Sequence, residues 1–440
     1  MGRPATIDRR ADDLLLRARV VVPICEPPLA DGAVRIAGNR IVEVGRWRDV
    51  GLSGPGQVQD LGEVAVLPGL VNAHCHLDYT TLAGMFSPPK HFTDWIKQLT
   101  TTKAEWGYSE FAESWLKGAR MLARTGVTTV GDIETTPELL PEVWEATPLR
   151  VLSFLEMTGV KSRRQPRVIL KEAVERINQL GKARCFAGLS PHAPYSTLPE
   201  LLRLSADIAR QRRWRLCTHV SESAQEFEMF VHGRGEMFDW LRRSERDMSD
   251  CGLGSPVKHL HRQGMLNERL LAVHVNYLAP GDAALLAQQQ VSVVHCPRSH
   301  DYFKHDPFPF EELTGAGVNI CLGTDSLASV RKRRREMPEL NLFEEMRSFA
   351  REHPKVAPKT ILKMATQNGA LPLGLAGRIG QLSAGAYADL TAVPFADKAG
   401  EVYDGLLAHQ GPVHASLIDG HWAFLAEGAE VAQGARLQPA

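Results

Sequence analysis

Apolar runs alternate with amphipathic helical stretches through most of the chain, from about residue 67 to residue 375. The stretch 110–124, for example, carries Phe111, Trp115 and Leu122 at the spacing of one helix face. Strands that alternate with helices form parallel sheets, and eight such units predict an α/β fold, the closed (β/α)8 TIM barrel. A doubly wound open sheet is the alternative, but no Gly-x-Gly-x-x-Gly follows an early strand. The eight predicted strands are 65–73, 127–132, 151–157, 185–189, 216–219, 270–275, 291–295 and 318–323.

Both ends of the chain carry short strand patterns without such helices. Residues 12–66 and the residues after 376 contain brief apolar runs, separated by turn signals such as Gly38-Asn39 and Asp419-Gly420. Neither end can bury both faces of a sheet by itself, so we expect the two ends to pair in one small β-sandwich. The predicted domains are therefore 1–66 and 376–440, which form the sandwich, and 67–375, which forms the catalytic barrel.

The composition is that of an ordinary globular protein. Hydrophobic residues make up 44%, and 51 Lys and Arg balance 51 Asp and Glu, which gives a net charge of +0. Because this balance leaves no electrostatic footprint for nucleic acid or a membrane surface, we predict neither partner. The seven cysteines are scattered and contain no C-x-x-C, which is typical of reduced thiols in the cytoplasm. No apolar run approaches the roughly 18 residues of a membrane span, so we expect a cytoplasmic protein. The sequence is also compatible with a homo-oligomer.

Two histidines separated by one residue, His74 and His76, follow the first predicted strand. Residues i and i+2 of a strand project to the same side, so the two imidazoles could bind one metal ion. By itself the pair is equally compatible with two incidental histidines near a strand end. More ligands are needed before it predicts a metal site.

Polar residues also end five further predicted strands. In a barrel of this kind the chemistry gathers at the carboxyl ends of the strands, so these residues would meet. A lone buried histidine is usually structural, but polar residues at six strand ends together predict an active site. Besides the histidine pair they are Ser190-Pro191-His192, His219-Val220-Ser221-Glu222, His274-Val275-Asn276, His295-Cys296-Pro297 and Gly323-Thr324-Asp325-Ser326.

The order His-x-His, His-x-x-Glu, His and Gly-Thr-Asp-Ser resembles the amidohydrolase superfamily, in its metal-dependent deaminase and chlorohydrolase branch. The resemblance extends from the segment 67–72 to Ala388-Asp389-Leu390, and the segments 295–300 and 321–329 look most like aminofutalosine deaminases and adenosine-type relatives. It implies one divalent metal ion per chain, with zinc favoured and iron also compatible, bound by His74, His76, His219 and Asp325. Branches with two metals use a lysine at the end of the fourth strand, and the segment 189–192 contains none.

The resemblance also implies catalytic roles for three residues. A bound cation lowers the pKa of a water molecule to about 7, which makes hydroxide available at neutral pH. Asp325 would accept a proton from that water, and His274 would orient it. Glu222, three residues beyond His219, would carry a proton to a ring nitrogen and then to the leaving amine.

Substrate contacts are expected from four residues. His192 resembles a histidine that contacts the base, Trp95 resembles an aromatic lid residue, and Ser326 follows the aspartate ligand. Glu105 lies near the offset at which related nucleoside deaminases bind the ribose hydroxyls, although the residues before it depart from the pattern. Trp95 could equally pack in the core, and Glu105 could be a surface residue. The basic residues after strands 3 and 8 could meet an acidic group of the substrate or be solvated: Lys161, Arg163, Arg164, Arg167 and 331–335.

These expectations together predict an enzyme, a hydrolase acting on carbon–nitrogen bonds. Its substrate would be a small heterocyclic amine, such as a 6-aminopurine nucleoside of the aminofutalosine, adenosine, methylthioadenosine or S-adenosylhomocysteine type, with release of ammonia. One alternative is a hydrolase of the same fold that removes chloride or an amine from a triazine or other heterocycle, or opens a cyclic amide. A more distant alternative is a binding protein that kept the barrel without catalysis.

Overall fold

We analysed a computed structural model of the chain, which describes residues 13–51, 57–160, 165–181, 184–332 and 336–429. The strands are β1 Asp13–Val21, β2 Leu29–Ala37, β3 Arg40–Arg46, β4 Gln57–Asp60, β5 Val64–Pro68, β6 Leu70–Cys75, β7 Val127–Glu134, β8 Arg150–Met157, β9 Phe186–Pro191, β10 Leu216–Val220, β11 Leu270–His274, β12 Ser292–His295, β13 Asn319–Leu322, β14 Leu390–Pro394, β15 Ala415–Ile418 and β16 His421–Leu425. Among the described residues they form two eight-stranded sheets.

The helices lie mostly between the barrel strands. They are α1 Trp47–Val50, α2 Phe92–Lys103, α3 Tyr108–Arg124, α4 Leu140–Ala146, α5 Pro166–Gln179, α6 Pro199–Arg212, α7 Ala224–His232, α8 Glu236–Arg243, α9 Pro256–Arg262, α10 Asp282–Gln288, α11 Pro297–Phe303, α12 Phe310–Gly315, α13 Leu342–Glu352, α14 Pro358–Met364, α15 Gln367–Ala370 and α16 Val402–Ala408. Short 3-10 turns occupy Leu77–Leu82, Pro137–Leu139, Leu327–Ser329 and Ala399–Glu401. None of the described helices has the length and apolar character needed to cross a bilayer.

The barrel sheet runs in the order β6 to β13, and each neighbouring pair is parallel. A bridge between Cys75 and Asp325, with the amide N–H of Thr324 donated to the His74 carbonyl at 3.0 Å, joins the first strand to the segment after the last one. Alternate residues of a barrel strand face opposite sides. On β8, Leu152 therefore belongs to the inner apolar cluster and Val151 to the one that packs against helices. The predicted (β/α)8 fold is confirmed.

The second sheet combines both chain ends in the order β16-β15-β14-β5-β1-β2-β3, with β4 paired to β1. Its strand β5 pairs with β1 on one side and, antiparallel, with β14 on the other, so the C-terminal strands complete the N-terminal set. The expected small β unit built from both termini is thereby confirmed. The domain limits at residues 66 and 376 stay a prediction, and β5 crosses the first of them.

One predicted strand is wrong. The apolar run 65–73 is two strands, because β5 belongs to the terminal sheet while β6 opens the barrel. Every residue of both strands is buried, so hydrophobicity alone does not separate them. The break falls at Gly69, where a Cβ would lie 2.0 Å from Thr128 Oγ1, so only glycine fits the crossing.

Arg150, the first residue of β8, ties the barrel to the terminal sheet. Its guanidinium donates to both oxygens of Asp389 at 2.9 and 3.2 Å and to Asp419 at 3.2 Å. It also lies 4.0 Å from the centroid of the Tyr387 ring. Arg150 and Asp389 are buried, which makes this a shielded ion pair at the end of the barrel strand opposite to the active site.

Candidate active site

The side chains His74, His76, His219 and Asp325, which we name the metal-ligand cluster, meet at the carboxyl end of the barrel. His74 lies in β6 and His76 directly after it, His219 lies in β10, and Asp325 follows β13. The Nε2 atoms of His74 and His76 both lie 3.5 Å from Asp325 Oδ1. The ring centroid of His219 lies 5.0 Å from that of His74 and 5.4 Å from that of His76. The structure thus brings together the four residues that sequence analysis named as ligands.

The donor set of this cluster fits a divalent cation. Neither ring nitrogen of His74, nor Nδ1 of His76, has a hydrogen-bond partner among the described residues, although both residues are buried. Such orphaned nitrogens are costly unless a bound group satisfies them. The donor atoms of His74, His76 and Asp325 lie within 4.8 Å of one another, close enough to bind one ion. Imidazole nitrogens with one carboxylate are ligands typical of zinc and ferrous iron.

The electrostatics of the cluster favour the protonation states that ligands require. Burial, together with the charge of neighbouring histidines, lowers the pKa of His76 and of His219 well below the usual value, which keeps both imidazoles neutral. Burial opposes the charged form of Asp325, but the surrounding imidazoles hold the pKa of its carboxyl well below the usual range. The N–H at Nδ1 of His219 is donated to the His192 carbonyl at 2.9 Å, which leaves Nε2 for an ion.

Glu222 and His274 lie beside the cluster. Glu222 Oε1 lies 3.5 Å from His274 Nε2, and the His274 ring stacks on that of His219 with centroids 5.5 Å apart. Burial, with the charges of Asp325 and Glu226, raises the pKa of the Glu222 carboxyl well above its usual value. A carboxyl whose pKa is raised in this way is suited to proton transfer.

A cavity of about 330 Å³ opens onto the cluster. Trp95, His192 and Ser326 line it, together with His76, His219, Glu222 and Asp325, and most of its remaining wall is apolar: Tyr79, Ile96, Leu99, Val160, Tyr195, Trp240 and Leu241. Trp95 also donates its Nε1 N–H to the Ala328 carbonyl at 3.2 Å, so it both packs and lines the cavity. The exposed surface of this cavity is mostly apolar, and polar side chains lie among the apolar ones, a combination that suits a flat heterocycle with polar substituents.

The comparisons with known proteins agree with this geometry. The model of the amidohydrolase family matches residues 65–434. The chain is 32% identical over 405 residues to a 5-methylthioadenosine/S-adenosylhomocysteine deaminase of Syntrophobacter fumaroxidans. The aligned region covers 88% of this chain and 85% of the relative. This chain belongs to the amidohydrolase family.

This amidohydrolase is also similar to two further deaminases, one by sequence and one by structure. It is 28% identical to an aminodeoxyfutalosine deaminase of Deinococcus radiodurans, over 78% of this chain and 81% of the relative. The crystal structure of an adenosine deaminase from Xanthomonas campestris with bound zinc superposes with a TM-score of 0.82 and 26% identity, covering 94% of this chain and 93% of that one. The family expected from the sequence motifs is confirmed.

The structure does not bring Glu105 to the cavity. Helix α2 ends at Lys103, and Glu105 lies exposed beyond it, outside the set of residues that line the cavity. Lys103 lines the cavity instead, with its ammonium 4.0 Å from the centroid of the Tyr79 ring and in contact with the Tyr79 hydroxyl. Trp95, Leu99 and Lys103 follow one another at intervals of four residues on one helix face, and this periodicity was the available signal.

Glu156 is a second cavity residue that the sequence analysis missed. It lies near the end of β8, lines the cavity and has Oε2 3.9 Å from His192 Nε2. Burial raises the pKa of its carboxyl. The rule that polar residues at strand ends carry function would have found it, since Glu156 follows the apolar run 151–155.

The predicted basic clusters are only partly described. Lys161, Arg163, Arg164 and 333–335 lie outside the described residues. Arg167 is exposed and 3.7 Å from Glu200, and Arg331 is exposed and 3.5 Å from Asp301. The cavity lining includes neither arginine, so both behave as solvated surface charges.

Proposed function

We propose that this amidohydrolase is a hydrolytic deaminase of a 6-aminopurine nucleoside-like substrate, of the aminofutalosine, adenosine, methylthioadenosine or S-adenosylhomocysteine type. The observation that carries the proposal is the position of the buried Glu222 carboxyl, which lines the cavity together with His76, His219 and Asp325. Displacing ammonia needs a proton at the leaving group, which a good leaving group such as chloride needs less. The two deaminases that are similar over most of this chain support the same reaction.

In this reaction the residues of the site have separate roles. A divalent cation in the metal-ligand cluster, zinc or else iron at one per chain, would supply a water of lowered pKa. Asp325, whose pKa is held low, would accept a proton from that water. The hydroxyl of Ser329 donates to Asp325 Oδ2 at 3.2 Å and holds the carboxyl group in place. His274, whose Nε2 lies 3.5 Å from Glu222 Oε1, would orient that water. Glu222 would donate its proton to the ring nitrogen during attack at the ring carbon, and would then take up the proton of the added hydroxyl as the carbonyl forms. It would pass this second proton to the departing amine, and the proton accepted by Asp325 would restore the Glu222 carboxyl.

Substrate binding follows from the cavity walls. The purine ring would lie against Trp95, and the imidazole of His192, hydrogen-bonded at Nδ1 to Ser196 Oγ at 2.6 Å, would turn Nε2 to the base. Ser326, beside Asp325, completes the proposed contacts. Burial lowers the pKa of His192 to about 4, so its ring stays neutral at physiological pH.

A panel of amines tests the reaction. We expect ammonia release from at least one of adenosine, S-adenosylhomocysteine, methylthioadenosine and aminofutalosine, and much less from guanine and cytosine. We expect little chloride release from a chlorotriazine. Turnover of the chlorotriazine alone would move the assignment to the dechlorinating alternative. No turnover of any aminopurine by metal-replete protein would refute the deaminase.

Metal content tests the cluster separately. We expect about one zinc or iron per chain after metal-replete expression, and His219→Ala should lose most of it because a buried ligand is removed. Exposed His232, at the end of α7, offers a matched control, and His232→Ala should keep the metal. Protein that holds far less than one ion per chain would contradict the proposed cofactor and favour a binding protein.

A further inference from the structure

The peptide groups of Glu222 are held by two side chains from different elements. Its N–H is donated to Glu226 Oε2 at 2.9 Å, and its carbonyl accepts the side-chain N–H of Asn276 at 2.9 Å. Glu222, Glu226 and Asn276 are all buried, so these bonds are shielded from water. Because the Glu222 side chain extends from this peptide, the two bonds fix where its carboxyl group can lie.

Glu226 comes from the first turn of α7. Ser223 caps that helix, and its Oγ accepts the N–H of Glu226 at 3.2 Å. In an ordinary capping box the glutamate at this position turns back to the N–H of the capping residue itself. Here the Glu226 carboxyl group, whose pKa burial raises to about 8, instead accepts the N–H of Glu222, the residue before Ser223. The helix start thus holds the proton carrier, and Glu226 does so from a fully buried position outside the cavity lining.

Asn276 reaches Glu222 through an unusual turn at the end of β11. His274 and Val275 have φ values of +74° and +52°, a left-handed conformation that is rare for a β-branched residue such as valine. The turn is held by two backbone bonds of 3.0 Å, from Val275 N–H to the Val220 carbonyl and from Asn276 N–H to the Ser221 carbonyl. Backbone strain of this kind persists where the surroundings over-determine it, often at functional sites. One turn therefore sets both the His274 ring and the Asn276 amide against Glu222.

We propose that Glu226 and Asn276 form a backbone clamp, in which both act as positioning residues for proton transfer by Glu222 without touching the substrate. The proposal rests on the deaminase function proposed above. Without the clamp, a buried N–H and a buried carbonyl would lose their partners, and the segment would shift to satisfy them. A displacement of about 1 Å at a reacting group costs on the order of 10² in rate.

Leaving-group dependence tests the clamp. We expect Glu226→Ala and Asn276→Ala each to lower kcat for the amino substrate by about 10²-fold, with KM and metal content nearly unchanged. The 6-chloro analogue needs Glu222 for the ring nitrogen but not for its leaving group, so it should lose only part of this factor, about tenfold or less. Glu226→Gln keeps an acceptor oxygen and should recover most of the loss. Equal losses on both substrates would show general damage to the site and overturn the proposal.

Epistasis with Glu222 is the second arm. Because the clamp acts through Glu222, adding Glu226→Ala to Glu222→Gln should slow turnover by less than about threefold beyond Glu222→Gln alone. Multiplicative losses would mean that Glu226 acts elsewhere, and would refute the positioning role. Asn276→Ala, which alters a different element, decides the matter in the same background if the Glu226 variants do not fold.

Amide hydrogen exchange provides a readout that does not depend on activity. We expect the Glu222 amide to be protected in the parent and in Glu226→Gln, and to exchange much faster in Glu226→Ala. An amide that stays equally protected in Glu226→Ala would overturn the clamp whatever the kinetics. If the parent deaminates no aminopurine, the proposed function fails, while the exchange result still decides whether the clamp exists.

Discussion

Replacing Arg150 should weaken the attachment of the terminal sheet to the barrel by a measurable amount. Arg150→Met leaves the carboxylate of Asp389 buried without its main partner, since two of its hydrogen bonds, at 2.9 and 3.2 Å, come from the guanidinium. Hydrogen bonds to charged groups contribute about 1.5–3 kcal/mol each, and breaking a buried pair by removing one partner costs about 3–5 kcal/mol. The bond to Asp419 adds less, because that carboxylate is 28% exposed. We therefore expect a loss of about 4 kcal/mol in the free energy of unfolding.

The residues around Arg150 supply the controls. Arg40 stacks on the ring of Tyr387 at 3.8 Å but forms no ion pair with Asp389, so Arg40→Met should cost only about 1 kcal/mol. Adding Asp389→Asn to Arg150→Met removes the uncompensated charge and should restore part of the loss. Urea unfolding, followed by two probes at a fixed metal concentration, measures the differences. If Arg150→Met costs no more than Arg40→Met, the ion pair does not hold the two sheets together.

Three further outcomes follow from the site and the core. Glu222→Gln should keep the fold and the metal but lose a factor of about 10²–10⁴ in kcat, and near-parental turnover would show that another group carries the proton. Lys103→Met should raise KM because Lys103 lines the cavity, whereas Glu105→Ala should leave kcat and KM within about twofold, and the reverse pattern would restore Glu105 as a substrate contact. Burial lowers the pKa of His259 to about 4 in the folded protein, whereas its pKa in the unfolded chain is about 6.5. The unfolded chain is therefore protonated at His259 at a higher pH than the folded protein, and stability is lost as the pH falls from about 6.5 to about 4. His259→Leu should make the acid loss of stability smaller by about 3 kcal/mol, and an unchanged pH profile would contradict that assignment.

The metal-ligand cluster could be predicted from sequence because strand geometry is simple. A residue at the end of an apolar run in a parallel barrel must lie near the other strand ends, whatever connects them. His74, His76, His219 and Asp325 satisfy this rule, and the structure brings them together. The rule also selects too much. His295 ends β12, yet its ring packs 3.8 Å from that of Phe308 and lies outside the ligand groups among the described residues.

Two kinds of feature were beyond the sequence reasoning. The first is the direction in which a helical residue points. Glu105 was chosen by its distance along the chain from Trp95, but the residues between them form a helix, and the helix face that lines the cavity carries Lys103. The second is backbone conformation. Ser221, His274, Val275 and Asp325 all have positive φ values, between +50° and +74°, which these residue types rarely adopt. Tertiary contacts impose them, so local sequence preference gives no sign of the turns that aim the site.

The seam between the first and last barrel strands also bears on how the protein matures. The carbonyl of His74 accepts the amide N–H groups of Thr324 and Asp325, so the backbone of one proposed ligand holds that of another, 251 positions later in the chain. A nascent polypeptide that has left the ribosome only as far as α12 carries three of the four proposed ligands but not Asp325. High-affinity metal uptake should therefore begin only when the segment after β13 pairs with β6 and closes the barrel. The bound ion would then stabilise the closed barrel before β14 to β16 have been synthesised and can complete the terminal sheet.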